Sequence, residues 1–123
     1  MSKRDARGTV FIVEDDPDFA SALVELIMDE GFHAVRFNDG LAALDGLSHE
    51  TPVLIITDLA MPGMSGAQLV RALRANESWR KIPVVVVTGG NDTALPARLD
   101  TPVIYKPDID SLLRVLPMAA RTA

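Results

Sequence analysis

The chain has 123 residues, with 12 Lys+Arg against 17 Asp+Glu, no cysteine and 48% hydrophobic residues. At 13.3 kDa, surface scaling leaves roughly 6,400 Å² exposed out of roughly 19,000 Å² for the open chain, enough burial for one core and too little for two domains. A disulfide framework and a thiolate zinc site are excluded, and a net charge of −5 argues against phosphate-backbone binding as the main activity.

The charged start, Met1 to Gly8, leads into the apolar run Val10–Val13, which is too short for a signal-peptide core. No stretch approaches the ~18 apolar residues that span a membrane. The expectation is a soluble, cytoplasmic, single-domain protein with neither a nucleic-acid nor a membrane partner on this chain.

In chain order, Val10–Val13 reads as a first strand. Asp16-Pro17 then supplies a helix N-cap followed by proline at the first helical position. Phe19, Leu23, Leu26 and Ile27 share one face of that helix, and Gly31 stops it. Ala34-Val35-Arg36-Phe37 alternates as an edge strand does, and Leu41, Leu44 and Leu47 mark a short helix after Asn38-Asp39. Val53–Ile56 is the third strand. Ser65 caps a helix carrying Leu69, Val70 and Leu73 that ends near Asn76. Val84–Val87 is a fourth strand, ending at Thr88, and Val103–Ile104 a fifth. Asp108 caps a last helix with Ile109, Leu112, Leu113 and Leu116 at helical spacing.

Four of the strand runs are β-branched and do not alternate with polar residues, the pattern of strands covered on both faces. The β-α alternation predicts an α/β fold with a doubly wound, five-stranded parallel sheet in the order 2-1-3-4-5. The 14 residues between Thr88 and Val103 include Gly89, Gly90, Pro96 and Pro102, so the fourth helix is expected to be shortened or absent. Residues 9–118 form the expected domain, with 1–8 and 119–123 as flexible tails.

Ligands in such a sheet bind beyond the carboxyl ends of the strands, at the switch point between strands 1 and 3. Glu14-Asp15-Asp16 follow the first strand and Asp58 follows the third. Thr88 ends the fourth, and Lys106-Pro107 follow the fifth. Each residue alone has a plain reading: Asp16 and Asp18 as helix N-terminal acids, Asp58 as a turn residue, Thr88 as a capping hydroxyl, Lys106 as a surface charge. Met61 and Met64 read as loop packing, Trp79 as cover for the end of the third helix, His33 and His49 as exposed. It is the coincidence of mutually compatible groups on several strand ends that points to a site. Carboxylates ~4 Å apart repel by ~4 kcal/mol at an effective dielectric of ~20, so Glu14, Asp15 and Asp58 require compensating cations. Lys106 supplies one charge and Mg²⁺, which favours hard oxygen ligands, supplies the rest. Strand 1 runs into Glu-Asp-Asp-Pro-Asp rather than G-x-G-x-x-G, which disfavours dinucleotide binding.

The segments VFIVEDDPD (10–18), LIITDLAMPGMSG (54–66), VVVVTGG (84–90) and YKP (105–107) together resemble the receiver domain of two-component response regulators, over about residues 9–118. The resemblance implies a flavodoxin-like fold and a phosphoryl-accepting signalling domain rather than an enzyme. It implies that Asp58 is the phospho-acceptor, attacking a phosphohistidine on a sensor histidine kinase or phosphotransfer protein. Asp15, Asp58 and the backbone carbonyl of Ala60 would ligate Mg²⁺, and Glu14 would hold a metal-bound water. Thr88 and Lys106 would each contact a phosphoryl oxygen, with a cis Lys106-Pro107 peptide fixing the aim of the lysine. The phosphorylated state would switch contacts with a downstream protein that the sequence does not name.

Two departures from the family pattern stand out. Val103 occupies the position three before the lysine where an aromatic relays the signal in many members, and Tyr105 sits next to the lysine instead. Ala60 and Gly90, two residues beyond Asp58 and Thr88, are both small, which predicts an open site and a phosphate of ordinary lifetime. The initial methionine and short tails favour a stand-alone regulator, while the abbreviated fourth-helix region resembles receivers joined to hybrid kinases. A receiver-like binding module that works without phosphorylation is the alternative; it predicts loss of Asp15, Asp58 or Lys106, and all three are present. A Mg²⁺-dependent phosphohydrolase with Asp58 as nucleophile would want an acid at position 60, where alanine stands.

Overall fold

The computed structural model describes residues 7–61, 63–89 and 103–105. The elements are β1 (Thr9–Val13), α1 (Pro17–Asp29), β2 (His33–Phe37), α2 (Gly40–Leu47), β3 (Leu54–Asp58), α3 (Gly66–Ala75), β4 (Val84–Thr88) and β5 (Val103–Tyr105). The strands pair in parallel in the order β2-β1-β3-β4-β5, as the β-α alternation predicts. The expected fourth helix, the helix after Asp108, Gly90, Lys106 and the Lys106-Pro107 peptide lie outside the described residues, as do 1–6 and 119–123.

Period-two alternation splits the strand residues between two apolar layers. Phe11, Val13, Ile55, Val84 and Val86 pack with Ala43 and Leu47 of α2 and with Leu69, Val70 and Leu73 of α3. On the opposite face, Val10, Ile12, Leu54, Ile56, Val85 and Val87 pack with Leu23 and Ile27 of α1 and with Phe32. Every residue of β1, β3 and β4 is buried, while β2 at the edge is buried nowhere along its length. Burial on both faces is what the unbroken β-branched runs predict.

Local signals place the helix starts. Asp16 accepts from the Asp18 amide, Asp39 from the Ala42 amide, and Ser65 forms a reciprocal capping box with Gln68. At the far end of α1, Gly31 takes the left-handed conformation at φ 93°, which turns the chain toward β2. Arg7 and Gly8, expected as the end of a loose leader, are tied to that corner. The Arg7 guanidinium donates to the Glu30 carbonyl at 2.7 Å and lies over the Phe32 ring, while the His33 amide donates to the Gly8 carbonyl.

Two local expectations shift. The third strand runs Leu54–Asp58 rather than stopping at Ile56, because its ladder with β4 continues through Asp58↔Val87. In α2 the buried positions are Gly40, Ala43 and Leu47, whereas Leu41 is 65% exposed. Met61 is buried in the core, with Met64 and Trp79 packed against it, and His33 and His49 are exposed. Among the described residues, no helix is long and apolar enough to cross a membrane.

Candidate functional site

In a parallel sheet every strand delivers its C-terminus to the same rim. Register then decides which side chains meet there. Val13 of β1 pairs with Thr57 of β3, so the next residues, Glu14 and Asp58, stand abreast on adjacent strands. Both continue the alternate rows Val10/Ile12 and Leu54/Ile56, so strand geometry brings these two acids together without any loop contribution. Asp15 follows immediately. Carboxylate oxygens of Glu14, Asp15 and Asp58 all lie within 4.8 Å of one another.

Their surroundings differ. Glu14 is 1% exposed and Asp58 8%, while Asp15 faces solvent. Two ionised carboxylates at that separation repel by about 3.5 kcal/mol at an effective dielectric of ~20, so the buried pair is expensive without a cation. Glu14 is held from several sides. Its amide extends the β1–β2 ladder onto the Phe37 carbonyl at 3.0 Å, and its Oε2 accepts from the Asp16 amide at 3.1 Å. Its carbonyl accepts two bonds from Arg36, from Nε at 3.1 Å and Nη2 at 2.9 Å.

Asp58 is fixed through its backbone. The buried Thr57 hydroxyl donates to the Asp58 carbonyl at 3.0 Å. The Leu59 amide donates to Val87 of β4, and the Gly66 amide to the Leu59 carbonyl at 2.8 Å, which draws the start of α3 onto the end of β3. The approach is very close: a Cβ at Gly66 would stand 2.2 Å from the Asp58 carbonyl oxygen and 2.9 Å from the Leu59 Cα.

Of the residues expected at the site, the structure brings Glu14, Asp15 and Asp58 together. It places Thr88, buried, at the same rim, one residue beyond the Val87 that pairs with Asp58. Ala60 is exposed two residues beyond Asp58. Lys106 lies outside the described residues; Tyr105, which precedes it, pairs with Thr88 at the C-terminal end of β5. Arg36 and Gly66 are supports that the sequence did not single out. A glycine in the first turn of a capped helix, where alanine is intrinsically better, was the available sign of a close backbone approach.

The donor set is three carboxylates, all hard oxygen ligands. That chemistry suits a magnesium ion and is a poor match for soft metals.

A model of the response regulator receiver domain matches residues 10–100. The chain belongs to the response regulator receiver domain family. A receiver is a phospho-acceptor rather than a classical enzyme, and the cluster of Glu14, Asp15 and Asp58 is consistent with a phosphorylation site. DNA-binding response regulator MtrA of Mycolicibacterium smegmatis is 36% identical over 87 residues, which is 71% of this chain and 37% of that regulator's length. The receiver domain of a signal transduction histidine kinase from Syntrophus aciditrophicus is 32% identical with a TM-score of 0.79, covering 94% of this chain and 89% of that one. The receiver domain of a sensor histidine kinase from Pseudomonas aeruginosa PAO1, with a magnesium ion coordinated in its active site cleft, shares the fold. It has 21% identity and a TM-score of 0.78, covering 93% of this chain and 98% of that one.

Proposed function

We propose that this receiver, spanning residues 9–118, carries a phosphoryl group on Asp58, taken in the cytoplasm from a phosphohistidine of a histidine kinase or phosphotransfer protein. The observation that supports the reading is the convergence of the Glu14, Asp15 and Asp58 carboxylates at the C-terminal rim of the sheet. In the transfer, a carboxylate oxygen of Asp58 bonds to phosphorus while the phosphorus–nitrogen bond breaks. The departing imidazole keeps that electron pair and leaves neutral, its other nitrogen still protonated. The product is an acyl phosphate on Asp58.

Asp15, Asp58 and the Ala60 carbonyl would hold Mg²⁺, with Glu14 acting through a water. When bound, the ion supplies positive charge that masks the carboxylates and offsets charge on the phosphoryl oxygens. The chain's own groups do the rest. The hydrogen bonds at Thr57 and Leu59 hold the Asp58 backbone in place, so the nucleophile needs little reorganisation. Thr88 and Lys106 are proposed to bind phosphoryl oxygens, Thr88 as a hydroxyl donor and Lys106 as a charge. Because Val103 replaces the relaying aromatic and the fourth helix is proposed to be short, the switched contact with the downstream protein is proposed to follow a route other than an aromatic flip.

Intact mass after incubation with a small acyl phosphate tests the proposal. One added phosphoryl group is expected in Mg²⁺ and none in excess chelator; equal labelling in both would refute the metal's part. A second expectation concerns the open side of the site. Ala60 is exposed beside Asp58, so water reaches the acyl phosphate. Ala60→Asn is expected to lengthen the phosphate's lifetime severalfold by shielding it, measured as the decay of labelled protein after donor removal. A wild-type phosphate already as persistent as the variant's would contradict it.

A further inference from the structure

Arg36 lies on the edge strand β2, and nothing in the receiver reading gives it a role. Parallel pairing of β1 with β2 runs from Thr9↔His33 to Val13↔Phe37 and closes with the Glu14 amide on the Phe37 carbonyl. The next rung of such a ladder would bring an amide from residue 39 onto the Glu14 carbonyl. There the chain has left the strand: Asp39 is the N-cap of α2, its carboxylate accepting from the Ala42 amide at 2.8 Å. The Arg36 side chain takes over, donating to the Glu14 carbonyl through two N–H groups at 3.1 and 2.9 Å.

That carbonyl belongs to the peptide joining Glu14 to Asp15. Rotation of this peptide would swing the two carboxylates relative to each other and to Asp58, opening the cluster. We infer that Arg36 is a positioning residue for the magnesium site, locking the Glu14–Asp15 peptide so that both acids face the place where Asp58 stands. The inference rests on the proposed magnesium site and adds to it a support reaching in from the sheet edge. Outer groups that orient ligands typically change metal affinity by about 10–100-fold when removed. The two-pronged bond requires a planar guanidinium; a lysine ammonium keeps the charge and loses the fork.

The test is a Mg²⁺ titration of the unphosphorylated protein, followed through backbone amide NMR shifts, for wild type, Arg36→Lys and Arg36→Met. Thermal melting of each is measured in metal-free buffer. Arg36→Lys is expected to weaken Mg²⁺ binding by about 10-fold with a melting temperature close to wild type. Because lysine conserves the charge, this loss cannot be ascribed to a changed electrostatic field. Arg36→Met adds the opposing effect of charge removal, which favours the cation, and is still expected to bind more weakly than wild type. Binding by Arg36→Lys within twofold of wild type would overturn the inference and leave the magnesium site standing, as would tighter binding by Arg36→Met. A wild type that does not bind Mg²⁺ would remove the site and this inference together.

Discussion

Asp58→Asn is expected to abolish phosphoryl uptake while leaving the fold intact. The amide lacks the anionic oxygen that bonds to phosphorus, and its nitrogen is a poor nucleophile because its lone pair is delocalised into the carbonyl. Backbone placement of residue 58 depends on the Thr57 hydroxyl bond to its carbonyl and on the strand pairing with Val87, neither of which uses the side chain. Stability should not fall. Asp58 is buried within 4.8 Å of two other carboxylates, so neutralising it removes a repulsion and is expected to raise the melting temperature in metal-free buffer. The paired measurements are donor-dependent intact mass and thermal melting. Undiminished labelling of the variant would mean that another residue is the acceptor. A lowered melting temperature would mean that the metal-free cluster is not dominated by repulsion.

The second large effect is expected at Gly66. A Cβ there would stand 2.2 Å from the Asp58 carbonyl oxygen, and the other close atoms are backbone atoms of Asp58 and Leu59. No side-chain rotation relieves such a contact, so α3 and the end of β3 must separate by most of an ångström. Gly66→Ala is therefore expected to cost about 1–3 kcal/mol of stability, despite alanine's better helix propensity. Phosphorylation should suffer more than folding, because a nucleophile displaced by about 1 Å loses up to ~100-fold in rate. Urea unfolding and the initial rate of labelling measure the two effects. Full stability with a wild-type labelling rate would show that α3 yields without moving Asp58.

Much of this architecture was written in local pattern. Val10–Val13, Val84–Val87 and the run before Asp58 read as doubly covered strands, and the structure buries every residue of β1, β3 and β4. Asp16 and Ser65 announced helix starts, and those caps form. The acids were legible as well, because parallel strands must deliver Glu14 and Asp58 to one rim.

Features that depend on distant partners were not legible. The third strand read as ending at Ile56, short of Asp58, because a strand's last rung is set by its neighbour, here Val87 of β4. In α2 the run Leu-Ala-Ala-Leu presents apolar residues on more than one face. Ala43 is buried in the same apolar cluster as Phe11, while Leu41 is left exposed, a choice among these faces that the rest of the core makes. Arg36 looked like the polar half of an alternating strand. Its bonds to Glu14 depend on the partner strand: β1 and β2 end together at Val13↔Phe37, and the Arg36 side chain reaches the carbonyl just beyond that rung.

Peptide-level mass mapping of the wild-type chain after acyl phosphate and Mg²⁺ bears most directly on the role assigned to Asp58. A single phosphoryl group on the peptide containing Asp58, absent when metal is chelated, is the predicted result. A phosphoryl group on any other residue, or an unmodified chain beside a donor that labels a control receiver, would contradict it.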